Sequence, residues 1–243
     1  MIDNKEKIIE YFKSAVKKNT DITAGKPNPP FLINAPRGAP IKNKIMQAID
    51  KLNSLNVPTL SVLGRGIRGK APAKQESFVI TEALEGMISL EQLTQRWANL
   101  AFQKRVYLKR ELIRQVANIA KTIHSNGLNH RDFYLCHFLV KDRDWSQWQT
   151  ENSLTLHLID LHRMQIRSSV PKRWWIKDLT GVLFSSLDCG LTRNDLLRFS
   201  KIYWGCSLRE LCQERSNVLW RVYQKARRLY VSIHSKDAPK LVT

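Results

Sequence analysis

Residues 129–140 read NHRDFYLCHFLV, and the segments on either side leave little freedom in how they can fold. Before them, Leu108, Leu112, Ile113, Val116, Ile119, Ala120 and Ile123 recur at three- and four-residue spacing, the apolar stripe of a helix. Gly127 follows as a left-handed C-cap. After them, 138–140 and 154–159 are short apolar runs flanking a polar stretch, the pattern of a β-hairpin. The helix delivers the chain into His130-Arg131-Asp132. The hairpin returns Asp160, which ends its second run, to the side of His137. Two carboxylates far apart in sequence are therefore expected to meet in one place.

The rest of the chain predicts an α+β fold with a mainly helical C-terminal part. Residues 1–29 begin with a short helical pattern at Ile8, Ile9, Phe12 and Val16 and end in a breaker cluster that includes Gly25, Pro27 and Pro29. Strands are expected at 31–33, 59–63 and 78–81. A helix is expected over 41–55, with its stripe at Ile45, Ala48, Ile49, Leu52 and Leu55. Residues 64–75, GRGIRGKAPAKQ, read as an exposed turn. Gly64, Gly66 and Gly69 match a phosphate-binding glycine spacing, but Ala71-Pro72 and a strand follow where such a motif requires a helix. Capping boxes at Ser89/Gln92, Thr192/Asp195 and Ser207/Glu210 mark helix starts beyond residue 84. The chain thus divides into a small β-containing part, 1–84, and a helical part, 85–243.

Composition narrows the function classes. A chain of 243 residues with 43% hydrophobic content can bury a substantial core, and a formal charge of +19 calls for a polyanionic partner. The N-terminus is charged and lacks the apolar stretch of a secretory signal, and no apolar run is long enough to span a bilayer, so a cytoplasmic location is expected. Cys136, Cys189, Cys206 and Cys212 form no CxxC pair, which fits reduced thiols.

Phosphoryl transfer needs a carboxylate to orient and deprotonate the attacking hydroxyl and another to hold magnesium against the phosphates. Asp132 suits the first role and Asp160 the second. Each alone also suits a plainer one, Asp132 capping a loop turn and Asp160 ending a strand. A zinc site from Cys136, His137, His157 and His162 is disfavoured by the absence of paired ligand spacing. Trp174 and Trp175, among Lys172, Arg173 and Lys177, suit either an interface with sugar or lipid headgroups or packing at a helix start. The basic run 221–228 reads as a solvated helix face that an anionic membrane would attract.

NHRDFYLCHFLV, together with HLIDLHRMQIR (157–167), VPKRWWIKDLTGVLFSS (170–186) and GLTRNDLLRF (190–199), resembles the bacterial lipopolysaccharide core heptose kinase family over about residues 78–205. The resemblance implies a two-lobed protein-kinase-like fold with a reduced N-lobe. It implies ATP and Mg2+ as cofactors and a heptose of the lipopolysaccharide inner core as acceptor, met on the anionic cytoplasmic face of the inner membrane. No nucleic-acid partner is expected. Asp132 becomes the catalytic base, Asp160 and His137 the metal side, and His130, Arg131 and Asp178 the bracing of the loop. The N-terminal third departs from the pattern: Asn34 stands where a strand lysine is expected and Ile45 where its helix glutamate is expected. The alternative implied by that departure is a pseudokinase-like module that binds a lipid-linked sugar or a partner protein.

Overall fold

The computed structural model describes residues 31–34, 41–68, 76–142 and 154–241. Its first sheet is antiparallel, in the order β1 (Phe31–Asn34), β3 (Glu76–Thr81), β2 (Val62–Arg68). Register runs from Phe31 opposite Thr81 to Asn34 opposite Phe78, and β2 pairs from Gly64 opposite Ile80 to Arg68 opposite Glu76. The segment GRGIR, expected as a turn, is therefore strand. Among the described residues β2 pairs only with β3, and an edge strand tolerates glycine and outward-facing charge such as the exposed Arg65. A β-carbon at Gly64 would lie 3.4 Å from Ile80 Cδ1, an ordinary contact, so the packing here does not require glycine. The glycine-spacing motif thus lies partly in a strand and leads into another strand. Residues 69–75, and the helical reading of 1–29, lie outside the described residues.

Helix α1 (Ile41–Ser54) buries Ile45, Ala48, Ile49 and Leu52, the stripe read from its spacing. The capping box at Ser89 and Gln92 is made in both directions and opens α2 (Leu90–Arg96). The long α3 (Phe102–Ser125) buries Leu108, Leu112, Val116, Ile119, Ala120 and Ile123 and ends before Gly127 at φ +80°. A β-carbon on Gly127 would fall 1.9 Å from the Arg167 carbonyl oxygen, while the Arg167 N–H donates to the Gly127 carbonyl at 2.9 Å. Only glycine satisfies both the left-handed backbone and this close crossing.

That crossing holds β5 (Leu128–Asn129) against β8 (Gln165–Ile166). The predicted hairpin forms between β6 (Phe138–Lys141) and β7 (His157–Leu158), with Phe138 opposite Leu158, and β4 (Met87–Ser89) pairs with the other edge of β6. Residues 143–153 of its connection lie outside the described residues.

The C-terminal helices are α4 (Lys172–Ser186), α5 (Arg193–Trp204), opened by the box at Thr192 and Asp195, and α6 (Ser216–His234). α5 packs on α3, where Lys109 Nζ lies 2.6 Å from the buried Asp195, and α6 packs on α4. One apolar cluster runs from Ile45 of α1 through these helices to Ala238, so the helices and the hairpin share a core.

Candidate active site

Asp178 of α4 fixes the loop that carries Asp132. Its side chain is 1% exposed, and its two oxygens accept from the His130 N–H at 2.7 Å and the Arg131 N–H at 2.8 Å. His124 Nε2, at the end of α3, lies 3.2 Å from the same carboxylate, and His124 Nδ1 lies 2.9 Å from the Tyr203 hydroxyl of α5. Three helices thus converge on two consecutive backbone amides. The residue so held, Arg131, has φ +76°, a left-handed conformation costing roughly 1–2 kcal/mol for a side chain of its type. The clamp stabilises that strained backbone immediately before Asp132.

His130 is wholly buried. Its Nε2 donates to the Ile159 carbonyl at 2.9 Å, and its Nδ1 has no partner. Burial holds its pKa below the ordinary histidine range, which keeps the ring neutral.

The hairpin brings the second carboxylate in through His137. His137 Nδ1 lies 2.6 Å from the Asp132 main-chain carbonyl, an acceptor only, so this nitrogen carries the proton. His137 Nε2 lies 3.2 Å from Asp160 Oδ2. A bare lone pair would not rest against a carboxylate, so the pair calls for a proton or a cation on that side. In agreement, Cys136, the Asp132 carbonyl and the Asp160 charge outweigh burial and push His137 up to about 9. Asp160 has a left-handed backbone (φ 61°, ψ 54°), and its other oxygen pairs with His162.

Magnesium keeps several waters and is commonly held by one or two carboxylates together with substrate phosphates. Asp160, one-third exposed and facing His137, fits that sparse donor set. Among the described residues no group of three or more His, Cys, Asp and Glu side chains forms a metal cage. The four-ligand zinc alternative therefore has no support there.

Two features had no role assigned from sequence. Arg163 reaches back to Asp132, Nη1 to Oδ1 at 2.8 Å. His124 and Tyr203 complete the bracing of Asp178. For His124 a signal was present, since it extends the buried stripe of α3, and a buried polar group implies a partner. No local pattern marks Arg163, because its contact depends on the turn that follows Asp160.

The expected strand-lysine position, Asn34, lies in β1, and the expected glutamate position, Ile45, is 2% exposed in the apolar core. Three lysines near these positions in the sequence are candidates to replace the strand lysine: Lys44 is exposed on α1, whereas Lys26 and the side chain of Lys42 lie outside the described residues. The tryptophan pair divides. Trp175 packs edge-on to Trp204 at 6.4 Å, whereas Trp174 lies under Arg131 at 5.0 Å and Arg173 at 5.2 Å, with Lys177 at 6.0 Å.

Comparison with known proteins agrees with this geometry. The profile of the "Lipopolysaccharide kinase (Kdo/WaaP) family" matches residues 35–203. The chain is 42% identical over 185 residues to the lipopolysaccharide core heptose(I) kinase WaaP of Pseudomonas aeruginosa, covering 76% of this chain and 67% of that protein. It is 42% identical over 182 residues to the corresponding kinase of Escherichia coli K12, covering 75% and 67%. A solved structure, "WaaP in complex with acyl carrier protein", superposes with a TM-score of 0.67 at 39% identity over 77% of this chain and 76% of that one. That structural likeness gives the α+β arrangement its protein-kinase-like identity. With the family profile matching most of the chain and sequence and fold in agreement, the chain belongs to the lipopolysaccharide kinase (Kdo/WaaP) family.

Proposed function

We propose that this chain is an ATP-dependent kinase that phosphorylates a heptose of the lipopolysaccharide inner core. The observation that carries the reading is the bridge through His137, whose two ring nitrogens face the Asp132 carbonyl and the Asp160 carboxylate. Asp132 orients and deprotonates the acceptor hydroxyl. Asp160, with His137 beside it, would hold magnesium, which supplies charge neutralisation of the nucleotide phosphates. His130, Arg131 and Asp178 position the loop. Among the described residues no helix is long and apolar enough to cross a membrane. The net charge of +19 supports peripheral docking on the anionic cytoplasmic face of the inner membrane, where the acceptor would be met.

Asn34 and the buried Ile45 favour a second reading, a module that binds its acceptor or a partner without turning over nucleotide. One pair of measurements separates them. A kinase should melt higher with Mg-ATP, by the equivalent of about 2.7 kcal/mol at a hundred times Kd. It should also transfer labelled phosphate from ATP to purified inner-core acceptor. Absence of both effects at millimolar nucleotide would leave the binding module.

We also propose an acyl carrier protein as a partner, since a solved relative is found in complex with one. A cavity of about 850 Å³ is lined mainly by apolar side chains, among them Leu112, Val116, Leu179, Leu183, Leu196 and Leu219. Such a lining suits a long acyl chain. The acyl-loaded carrier should raise the melting temperature more than the unloaded one, and Leu196→Trp, which fills the cavity, should remove the difference. Equal effects of the two carrier forms on the native chain would reject the acyl-chain assignment.

A further inference from the structure

A transferring phosphoryl group needs positive charge around it. At the two positions expected to set the strand-side cation, Asn34 has no charge to give and Ile45 is turned into the core. Arg163 approaches Asp132 from the turn that follows Asp160. It closes a 3₁₀ turn, Leu161–Arg163, for which Asp160, in a left-handed conformation, is the N-cap. One short turn therefore carries Asp160 at its start and Arg163 at its end. Leu161, 3% exposed, anchors it in the core, and α1 packs directly on it.

Arg163 Nη1 lies 2.8 Å from Asp132 Oδ1, with the arginine side chain 41% exposed and the aspartate 13%. A guanidinium offers five N–H donors, and this contact uses one. An acceptor hydroxyl served by the other Asp132 oxygen would lie about 2.6–3.2 Å from it. The phosphorus would lie about 3–3.5 Å beyond that hydroxyl. Its equatorial oxygens then fall within reach of the remaining guanidinium donors. As a fold contact this half-exposed ion pair contributes little, so stability does not account for the placement.

We propose that Arg163 is a catalytic residue that contacts the transferring phosphoryl group and offsets the charge on its equatorial oxygens. The proposal rests on the phosphotransfer reading above and adds to it a cation supplied by the turn after Asp160. In the step, the acceptor oxygen bonds to phosphorus as its proton passes to Asp132. The bond from phosphorus to the bridging oxygen breaks, and its electron pair leaves on ADP. Arg163 stays protonated throughout.

The test compares the native chain with Arg163→Gln and Arg163→Lys. Loss of a preorganised donor of this kind should lower kcat by about 10²–10³ in Arg163→Gln, with KM for ATP and the ligand-free melting temperature nearly unchanged. Arg163→Lys should recover part of the rate. A second readout needs no turnover: Mg-ADP with aluminium fluoride, a mimic of the transferring phosphoryl group, should raise the native melting temperature beyond Mg-ADP alone. Arg163→Gln should lose that increment. Full kcat, or an intact fluoride increment, in Arg163→Gln overturns the proposal. If the native chain transfers no phosphate and is not stabilised by Mg-ATP, the phosphotransfer reading falls and this proposal with it. If the native chain is active, Asp132→Asn is inactive and Arg163→Gln is active, the Arg163 assignment alone falls.

Discussion

Asp132→Asn is expected to lower kcat for phosphotransfer by about 10²–10⁴, the range commonly lost with a positioned general base, without lowering the melting temperature. Asparagine keeps the shape of the side chain and can still present an oxygen to Arg163 Nη1, now 2.8 Å from Oδ1. The Asp132 main-chain carbonyl, which accepts from His137 Nδ1, is untouched. What disappears is the affinity for the proton of the acceptor hydroxyl. The measurement is steady-state transfer at saturating Mg-ATP alongside a thermal melt of the same preparation. An asparagine variant with native kcat would remove Asp132 from the base role, and with it the central assignment of the site.

The second large effect concerns stability. Asp178→Ala removes one acceptor and strands three donors: the main-chain N–H groups of His130 and Arg131 and the imidazole of His124. All lie in or beside the core, where an unpaired polar group costs about 1–3 kcal/mol, and breaking a buried charged contact about 3–5 kcal/mol. A total near that second figure is a large fraction of the roughly 5–15 kcal/mol of a typical domain. At about 2–4 °C per kcal/mol the melting temperature should fall by roughly 6–20 °C. Transfer should fall as well, because the two Asp178 hydrogen bonds to the loop backbone at His130 and Arg131 are lost. Tyr203→Phe, which removes only the far end of the same chain of contacts, serves as the internal comparison and should cost about 1 kcal/mol. If Asp178→Ala melts no lower than Tyr203→Phe, the clamp is not what organises the loop.

Sequence made one part of the molecule legible and obscured another, for physical reasons. The α3 stripe, Gly127, the capping boxes and the alternation around 138–140 are local signals, and local signals set where elements begin, end and face. They were enough to bring Asp160 beside His137. GRGIR reads as a turn because glycine lowers strand propensity, and pairing with the facing β3 is what makes it a strand. Arg163 carried no signal for a different reason. Its neighbour depends on Asp160 entering the left-handed region, a backbone choice that nothing around position 160 announces. Ile45 has its own logic: a residue at the polar position of the expected ion pair completes the apolar stripe of α1. The turn bearing Asp160 is thus supported by hydrophobic packing from α1.

That turn also bears on control. Between Asp160 and α4 the chain makes a 3₁₀ turn, pairs as β8 with β5, crosses Gly127 at Arg167 and reaches the helix at Lys172. Many phosphotransferases are switched by a long segment at this place that is disordered until a modification folds it. Here the equivalent stretch is short and fastened at several points, with Leu161 and Met164 sunk in the core. A turn seated this way holds Asp160 in place through the core rather than through a modification.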